Sequence, residues 1–312
     1  MKRIIPFSTY FLPAAVFSSA LIIAGLAGYA IHSGFNLGID FKAGLIQEIQ
    51  FAPGAGAVGT EDIRGSLSAL GTVSVQNIGD PEDLRFMIRV NEAEGEGQNE
   101  DILGAAIKNA LENRFGPDKV IVTQSDYVGS RFSKQLTDQA GLLMGLTLLL
   151  ILTYASIRFK PQFAIGAVLA IAHDALIIVG FVAWSRMEFN TTTIAAILTI
   201  LGYSINDTIV IFDRIRENRR ILPEDSFVNI LNRSVTETLG RTIITTATTM
   251  AAVLSLFIFT AGSMRAFALA LLVGMVSGVY STIFIAVGFV NFWDIKLNAK
   301  AKKPAKLALQ TK

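Results

Sequence analysis

The chain has 312 residues, of which 52% are apolar and only 17% charged, against about 25% charged in an average soluble domain. That is the composition of a membrane protein. Its 27 basic and 25 acidic residues leave a formal charge of +2, which announces no polyanion-binding surface and no nucleic-acid partner. With no cysteine and two histidines, His32 and His173, disulfides, thiolate nucleophiles and Cys-ligated metals are excluded and an all-protein zinc site nearly so.

Crossing the hydrocarbon of a bilayer takes about 20 apolar residues. Four stretches of about that length carry no charge: Phe11–Ile31, Gln139–Ile157, Thr242–Met264 and Ala266–Trp293. Gln162–Trp184 and Phe189–Phe212 are similar, except that each holds one carboxylate, Asp174 and Asp207. Six spans are expected. Lys2, Arg3, Arg158, Lys160, the loop 213–241 and the C-terminal tail place 16 basic residues on one side, against 11 on the other. The basic bias therefore predicts both termini in the cytoplasm. The first span follows Lys2 and Arg3 as a secretory signal would, but 21 apolar residues exceed the 7 to 15 of a signal's apolar region, so an uncleaved anchor is expected.

Four regions follow: 1–32 with the first span, an extracytoplasmic domain at 33–135, a bundle of the other five spans at 136–293, and a basic tail at 294–312. In the domain, Leu45–Phe51 reads as a strand. Thr60 can cap a helix with Ile63, Leu67 and Leu70 on its apolar face, and Val73–Ile78 is a second strand. Leu84, Phe86, Ile88 and Val90 alternate with Arg85, Met87 and Arg89, the period of a strand with one buried face. After an acidic loop, Glu92–Gln98, Asn99 caps a helix with Ile102, Leu103, Ala106, Ile107, Ala110 and Leu111 on one face, stopped by Gly116-Pro117. Lys119–Tyr127 closes the set. The order β-α-β-β-α-β is that of a ferredoxin-like α+β sandwich. With 9 basic and 15 acidic residues the domain has a net charge of −6, leaving +8 for the rest. Its surface reads either as simply solvated or as a docking platform for unfolded or partner chains.

An ionised carboxylate inside a membrane costs about 2.5 to 3.5 kcal/mol even on the lenient insertion scale, so intramembrane acids are functional or paired. Asp174 lies near the middle of its span and could pair with another helix. Asp207 has Tyr203, Ser204, Asn206 and Thr208 as polar neighbours that could satisfy it as a packing acid, and Arg241 stands at the mouth of the next span as a candidate counter-charge. At helical spacing Arg241, Thr245, Thr248 and Thr249 share a side, a polar stripe aimed at protein or water. A snorkelling Arg with back-bonded threonines is the plainer alternative. His173 projects about 100° away from Asp174 on a helix and reads as a packed polar residue. Gly141/Gly145 and Gly274/Gly278 have the spacing of close helix contacts. Phe227, Ile230, Leu231 and Val235 suggest a short helix on the cytoplasmic surface. No nucleotide-binding or hydrolase motif is present.

Gly38-Ile39-Asp40-Phe41-Lys42-Ala43-Gly44 resembles the GIDF-x-GG signature of the SecD/SecF family of protein-export membrane subunits, relatives of proton-driven RND transporters. Ala43 stands where the first paired glycine is expected. Gly202–Val210, running on through Phe212-Asp213-Arg214-Ile215-Arg216-Glu217-Asn218, resembles the fourth-span motif of the SecF-type subunit. Ala172-His173-Asp174 and Arg241-Thr242-Ile243 resemble its third and fifth spans.

The resemblance implies a polytopic six-span fold of RND-half topology and a pseudo-symmetric complex with SecD. It implies work beside the Sec channel and its ATPase motor on unfolded preproteins, driven by the proton gradient with no cofactor and no enzymatic step. It puts Asp207 at the proton-carrying position, Arg241 on the conducting path and Asp174 in the same relay. Three other readings compete: an intramembrane aspartyl protease pair of Asp174 and Asp207, an RND-type exporter of lipids or small molecules, and a passive assembly subunit.

Overall fold

Hydropathy fixes the scaffold. The computed structural model describes residues 4–38, 40–52, 58–71, 73–91 and 100–296, and within them six helices are long and apolar enough to cross a membrane. They are α1 (Phe11–Ile31), α4 (Ser130–Arg158), α5 (Pro161–Ser185), α6 (Thr191–Ile221), α7 (Phe227–Phe259) and α8 (Gly262–Tyr280). A π-turn over Ser281–Ala286 carries α8 onward as helix to residue 296.

Between the first two spans lie β2 (Gly44–Phe51), α2 (Thr60–Ser66), β3 (Val73–Asn77), β4 (Arg85–Asn91), α3 (Glu100–Phe115) and β5 (Val120–Val128). The four strands form an antiparallel sheet in the order β3-β4-β2-β5, with Leu45 opposite Val90 and Ile49 opposite Phe86. This is the ferredoxin-like order. Its core joins Leu45, Ile49, Phe86 and Ile88 of the sheet to Ile63 and Leu67 of α2 and its end and to Leu103, Ile107 and Leu111 of α3.

Several expectations shift at the edges. Leu84 lies in the turn before β4, at φ 48°. Ile102 is exposed and is not on the buried face of α3. Gly59, not Thr60, caps α2, and Asp62 accepts from the Gly59 N–H. Arg89, which alternates with the core residues of β4, is buried as well. Ile39, the loop at 92–98, the Asn99 cap and the tail beyond 296 fall outside the described residues.

Two helices differ more. The residues expected as a separate surface helix are the first turns of α7, which runs unbroken from Phe227 to Phe259. Pro223 precedes it and no proline interrupts it, and Ile230, Leu231 and Val235 are buried in the bundle core. The break between the fifth and sixth spans falls at Thr260–Ala261, where Gly262 takes φ 57°. Arg265 then lies in the first turn of α8, its guanidinium over the Phe257 ring.

Small residues set the helix contacts. A Cβ on Gly25 would stand 2.7 Å from the Gly180 Cα, so α1 and α5 touch backbone to backbone. Gly274 and Gly278 receive Ile200 and Ser204 of α6. Gly141 and Gly145 face open space, and α4 is the least buried span. We expect Gly180→Leu to separate α1 from α5 and to cost at least the 1–3 kcal/mol of ordinary overpacking. Thermal unfolding in detergent checks this, with Gly141→Leu as the variant that leaves the melting temperature unchanged.

Candidate functional site: a polar core between α5, α6 and α8

Asp174 is fully buried. Its Oδ2 accepts from Ser204 Oγ at 2.6 Å and Ser281 Oγ at 2.7 Å, and its Oδ1 from Ser277 Oγ at 2.6 Å. His173 Nδ1 lies 3.1 Å from the same Oδ1. The neighbouring histidine, expected to point away, therefore turns its ring back onto the carboxylate. The three serines come from α6, α8 and the π-turn. That turn presents Ser281 to Asp174 and Thr282 to Thr208, with 2.9 Å between the two threonine hydroxyls. π-turns inside α-helices recur at functional sites because the extra residue re-aims the side chains around it. Ser204, expected as a neighbour of Asp207, bonds Asp174 instead; Ser277, Ser281 and Thr282 were not singled out from sequence. Ser277 and Ser281, one turn apart in an otherwise apolar span, are the signal that could have found them.

Asp207 is a contrast. It is nearly buried, one turn along α6 from Ser204, yet no side-chain hydrogen bond reaches its carboxylate among the described residues. Arg241 acts on it through space as a Coulombic partner, but no ion pair within 4.0 Å joins the two. Asp174 and Asp207 share no hydrogen bond either, so the shared proton of an aspartyl protease dyad has no place in this geometry.

The threonines of α7 divide by direction. Thr245, Thr248 and Thr249, the expected stripe, lie with Arg241 on the outward side of the chain, exposed or half-buried. Their hydroxyls bond back to their own helix, at Arg241 O, Ile244 O and Thr245 O. Thr242 and Thr246 instead face inward and are buried. Among the described residues their hydroxyls have no hydrogen-bond partner, and neither has the buried hydroxyl of Tyr203 on α6. Asn206 is exposed. The helical period groups such residues correctly but does not say which group faces in.

The segment that follows Asp207 along α6 builds a clamp at the Arg-rich end. Asp213 meets Arg158 at 2.6 Å and Arg216 at 3.3 Å. Glu237 of α7 takes Arg214 at 2.7 Å, Arg233 at 3.0 Å and the amide of buried Asn218 at 2.8 Å. Four of the six arginines counted in the basic loop, Arg214, Arg216, Arg219 and Arg233, are thus in ion pairs.

The glycine-containing signature after the first span is a strap at the opposite end. Asn36–Leu37 forms β1, which pairs in parallel with β6 (Glu188–Phe189) just ahead of α6. The Gly38 N–H bonds to Phe189 O at 2.9 Å, and any Cβ there would strike the Glu188 carboxylate. Asp40 Oδ2 accepts from the Thr191 N–H at 2.8 Å, at the first residue of α6, and Phe41 packs on Phe189. Gly44 lies so close to Val90 O that a Cβ would stand 2.3 Å from it. Ala43 is not among the positive-φ residues, so alanine fits there without backbone strain. Beside the strap, Arg89 of β4 reaches Glu188 at 2.6 Å, both largely buried. The ion pair ties the α+β domain to the helices.

Residues 107–296 match the family model described as protein export membrane protein SecD/SecF, C-terminal. The chain is 33% identical to the protein translocase subunit SecF of Treponema pallidum, over 93% of this chain and 96% of that protein. It is 37% identical to SecF of Borreliella burgdorferi, over 92% and 96%. Among solved structures it is similar to SecDF, a translocon-associated membrane protein from Thermus thermophilus, with a TM-score of 0.80 and 30% identity over 94% of this chain. It is also similar to SecDF in a super-membrane-facing form, with a TM-score of 0.64 and 32% identity over 95%. It spans 39% and 40% of those two SecDF chains. Six membrane-length helices, the sheet domain and this similarity along nearly the whole chain lead to one assignment: the chain belongs to the SecD/SecF family of protein-export membrane proteins, with the SecF subunits.

Proposed function

We propose that the chain is one membrane half of a protein-export device in the bacterial inner membrane. With a SecD-type partner beside the Sec channel and its ATPase motor, it spends the proton gradient on drawing unfolded preproteins outward. The observation that carries this reading is Asp207, a nearly buried carboxylate that accepts no side-chain hydrogen bond among the described residues. Such a group changes protonation with little local rearrangement. Protonation from the outer side cancels the attraction of Arg241. The inward hydroxyls of Tyr203, Thr242 and Thr246, unpartnered here, can serve water or the carboxyl as the helices readjust. Asp174, one turn of α6 away through Ser204, is the third member of the relay. No cofactor or catalytic step is required of the chain.

The basic bias of its loops supports cytoplasmic termini and an outer α+β domain. That domain would move with the helices and hold the chain in transit. The unequal similarity to the two SecDF structures, at equal coverage, fits a family whose parts take more than one arrangement.

The partner's place is supported by what the chain leaves uncovered. Asn206, Arg241, Thr245 and Thr248 are outward on α6 and α7, and such groups are costly against lipid and find partners on other helices. The outward side of α4 is instead lined by Leu142, Leu143 and Leu150. Because the natural chain has no cysteine, single cysteines map this directly. Cysteine at Asn206 or Thr245 should cross-link to the SecD-type partner in membranes, and cysteine at Leu143 or Leu150 should not; the reverse pattern would reject this interface. Inverted vesicles depleted of the chain should lose the gradient-dependent part of preprotein export and regain it with the wild-type chain.

A further inference from the structure

The cluster around Asp174 has a second arm, which runs away from Asp207 toward α1. His173 is buried and stacks on the Tyr280 ring, with centroids 5.9 Å apart. Its Nδ1 meets Asp174 Oδ1 at 3.1 Å and its Nε2 meets Ser18 Oγ of α1 at 3.0 Å. Ser18 Oγ lies 3.2 Å from the Tyr280 hydroxyl, which donates to the carbonyl of Ala14 at 2.7 Å.

The end of this chain of bonds decides the rest. A backbone carbonyl only accepts, so the hydrogen of Tyr280 is committed to Ala14, and its oxygen is left as an acceptor. Ser18 has one hydrogen and two places to send it. If it goes to Tyr280, Nε2 must carry its own hydrogen to bond Ser18, and a second proton lies between Nδ1 and Asp174. If it turns to Nε2, that nitrogen is bare, and Nδ1–H donates to an ionised Asp174. The two arrangements differ by one proton on the His173–Asp174 pair and by the rotation of one hydroxyl, with no heavy atom displaced.

We propose that His173 and Asp174 together form a second proton-holding site, and that Ser18 reads its occupancy. With two protons on the pair, Ser18 bonds α1 to Tyr280. With one proton, that bond is given up. The titratable groups around the imidazole are Asp174 on its own helix and Tyr280 on α8. From α1 it meets the Ser18 hydroxyl, and on α6 Asp207 lies one turn beyond Ser204. Ser18 and His173 also stand on the wall of a cleft of about 580 Å3 between α1, α5 and the last helix, whose lining holds no Asp, Glu, Lys or Arg. The inference rests on the export reading only for its use, not for its chemistry.

The chain's two histidines make the test direct. The full chain, labelled with 15N-histidine and placed in lipid nanodiscs, is followed by ring-nitrogen NMR from about pH 5 to about pH 9, with His32→Gln assigning the His173 signals. The expected result is one transition in which Nε2 passes from bare to protonated as pH falls. Ser18 makes two bonds in the two-proton arrangement and one in the other, so Ser18→Ala should move the transition to lower pH by about half a unit to one unit. Tyr280→Phe removes the other end of the same bond and should move it the same way, which keeps the test alive if Ser18→Ala does not fold. A His173 fixed in one tautomer across this range, or a transition indifferent to both variants, overturns the proposal. Asp207→Asn should leave the His173 transition in place. If that variant exports normally while His173 titrates as described, the export reading fails and the proton-holding pair stands.

Discussion

Asp207→Asn should leave the chain folded and joined to its partner, yet abolish the part of export that depends on the proton gradient. Asparagine is nearly the same size and cannot take up or release a proton. The wild-type carboxylate accepts no side-chain hydrogen bond among the described residues, so little native structure is lost with it. One elementary charge moved through 100 mV gains about 2.3 kcal/mol, which biases a two-state element by about 50-fold. Removal of the carrier removes that bias. Preprotein export into inverted vesicles, measured with and without a gradient, should therefore show the same ATP-driven rate as wild type and no increment from the gradient. A retained increment would sink the proton role of Asp207 and leave a passive assembly subunit as the better reading.

Asp174→Asn provides the control because the two carboxylates differ in how they are held. Three serine hydroxyls and His173 converge on Asp174. An amide there offers one carbonyl oxygen to donors that now use two oxygens, and buried donors left without acceptors cost about 1–3 kcal/mol each. That variant should melt at a measurably lower temperature in detergent, whereas Asp207→Asn should not. Equal loss of stability in both would mean that Asp207 is a packing acid after all.

Much of this architecture was legible in the residues because hydropathy and period-two alternation are strong, local signals. Phe11–Ile31 as a run of apolar residues is α1 itself, and the alternation of Phe86, Ile88 and Val90 gives the buried face of β4. What stayed hidden depends on what covers a face. Alternation places Arg89 opposite the domain core but cannot show that helices lie on that side. The same holds for α7, where polar or small residues occupy Gly240 to Thr242, Thr245, Thr246, Thr248 and Thr249. With so many polar positions the helical phase is undetermined, and the inward pair proved to be Thr242 and Thr246. Gly141 and Gly145 have the same spacing as Gly274 and Gly278 but meet nothing among the described residues, since a spacing records that close approach is possible and not which neighbour arrives. The π-turn at Ser281–Ala286 left no mark but two adjacent hydroxyl residues, Ser281 and Thr282.

Arg89→Ala should free the α+β domain from the helices, and it is the largest structural effect expected outside the polar core. Arg89 and Glu188 form the buried link between the sheet and the strap ahead of α6. Removing one partner of a buried ion pair is destabilising by about 3–5 kcal/mol, because the other charge stays buried without compensation. Here that cost falls on Glu188, which sits against Gly38 and follows Arg186 and Met187 in the turn between α5 and α6. The cheapest escape for an unpaired Glu188 is hydration, which requires the domain to lift. The sheet has its own core of Leu45, Ile49, Phe86 and Leu103, so it should lift intact. Spin labels on β3 and on α8, read by pulsed dipolar spectroscopy in nanodiscs, should report a narrow distance distribution in wild type and a broad, longer one in Arg89→Ala. Pairing Arg89→Met with Glu188→Met removes both charges and should restore most of the narrow distribution, because the unpaired charge and not the missing contact drives the opening. If the single variant keeps the wild-type distances, the ion pair does not hold the domain, and the β1–β6 pairing with the Asp40 cap on α6 would have to carry that role alone.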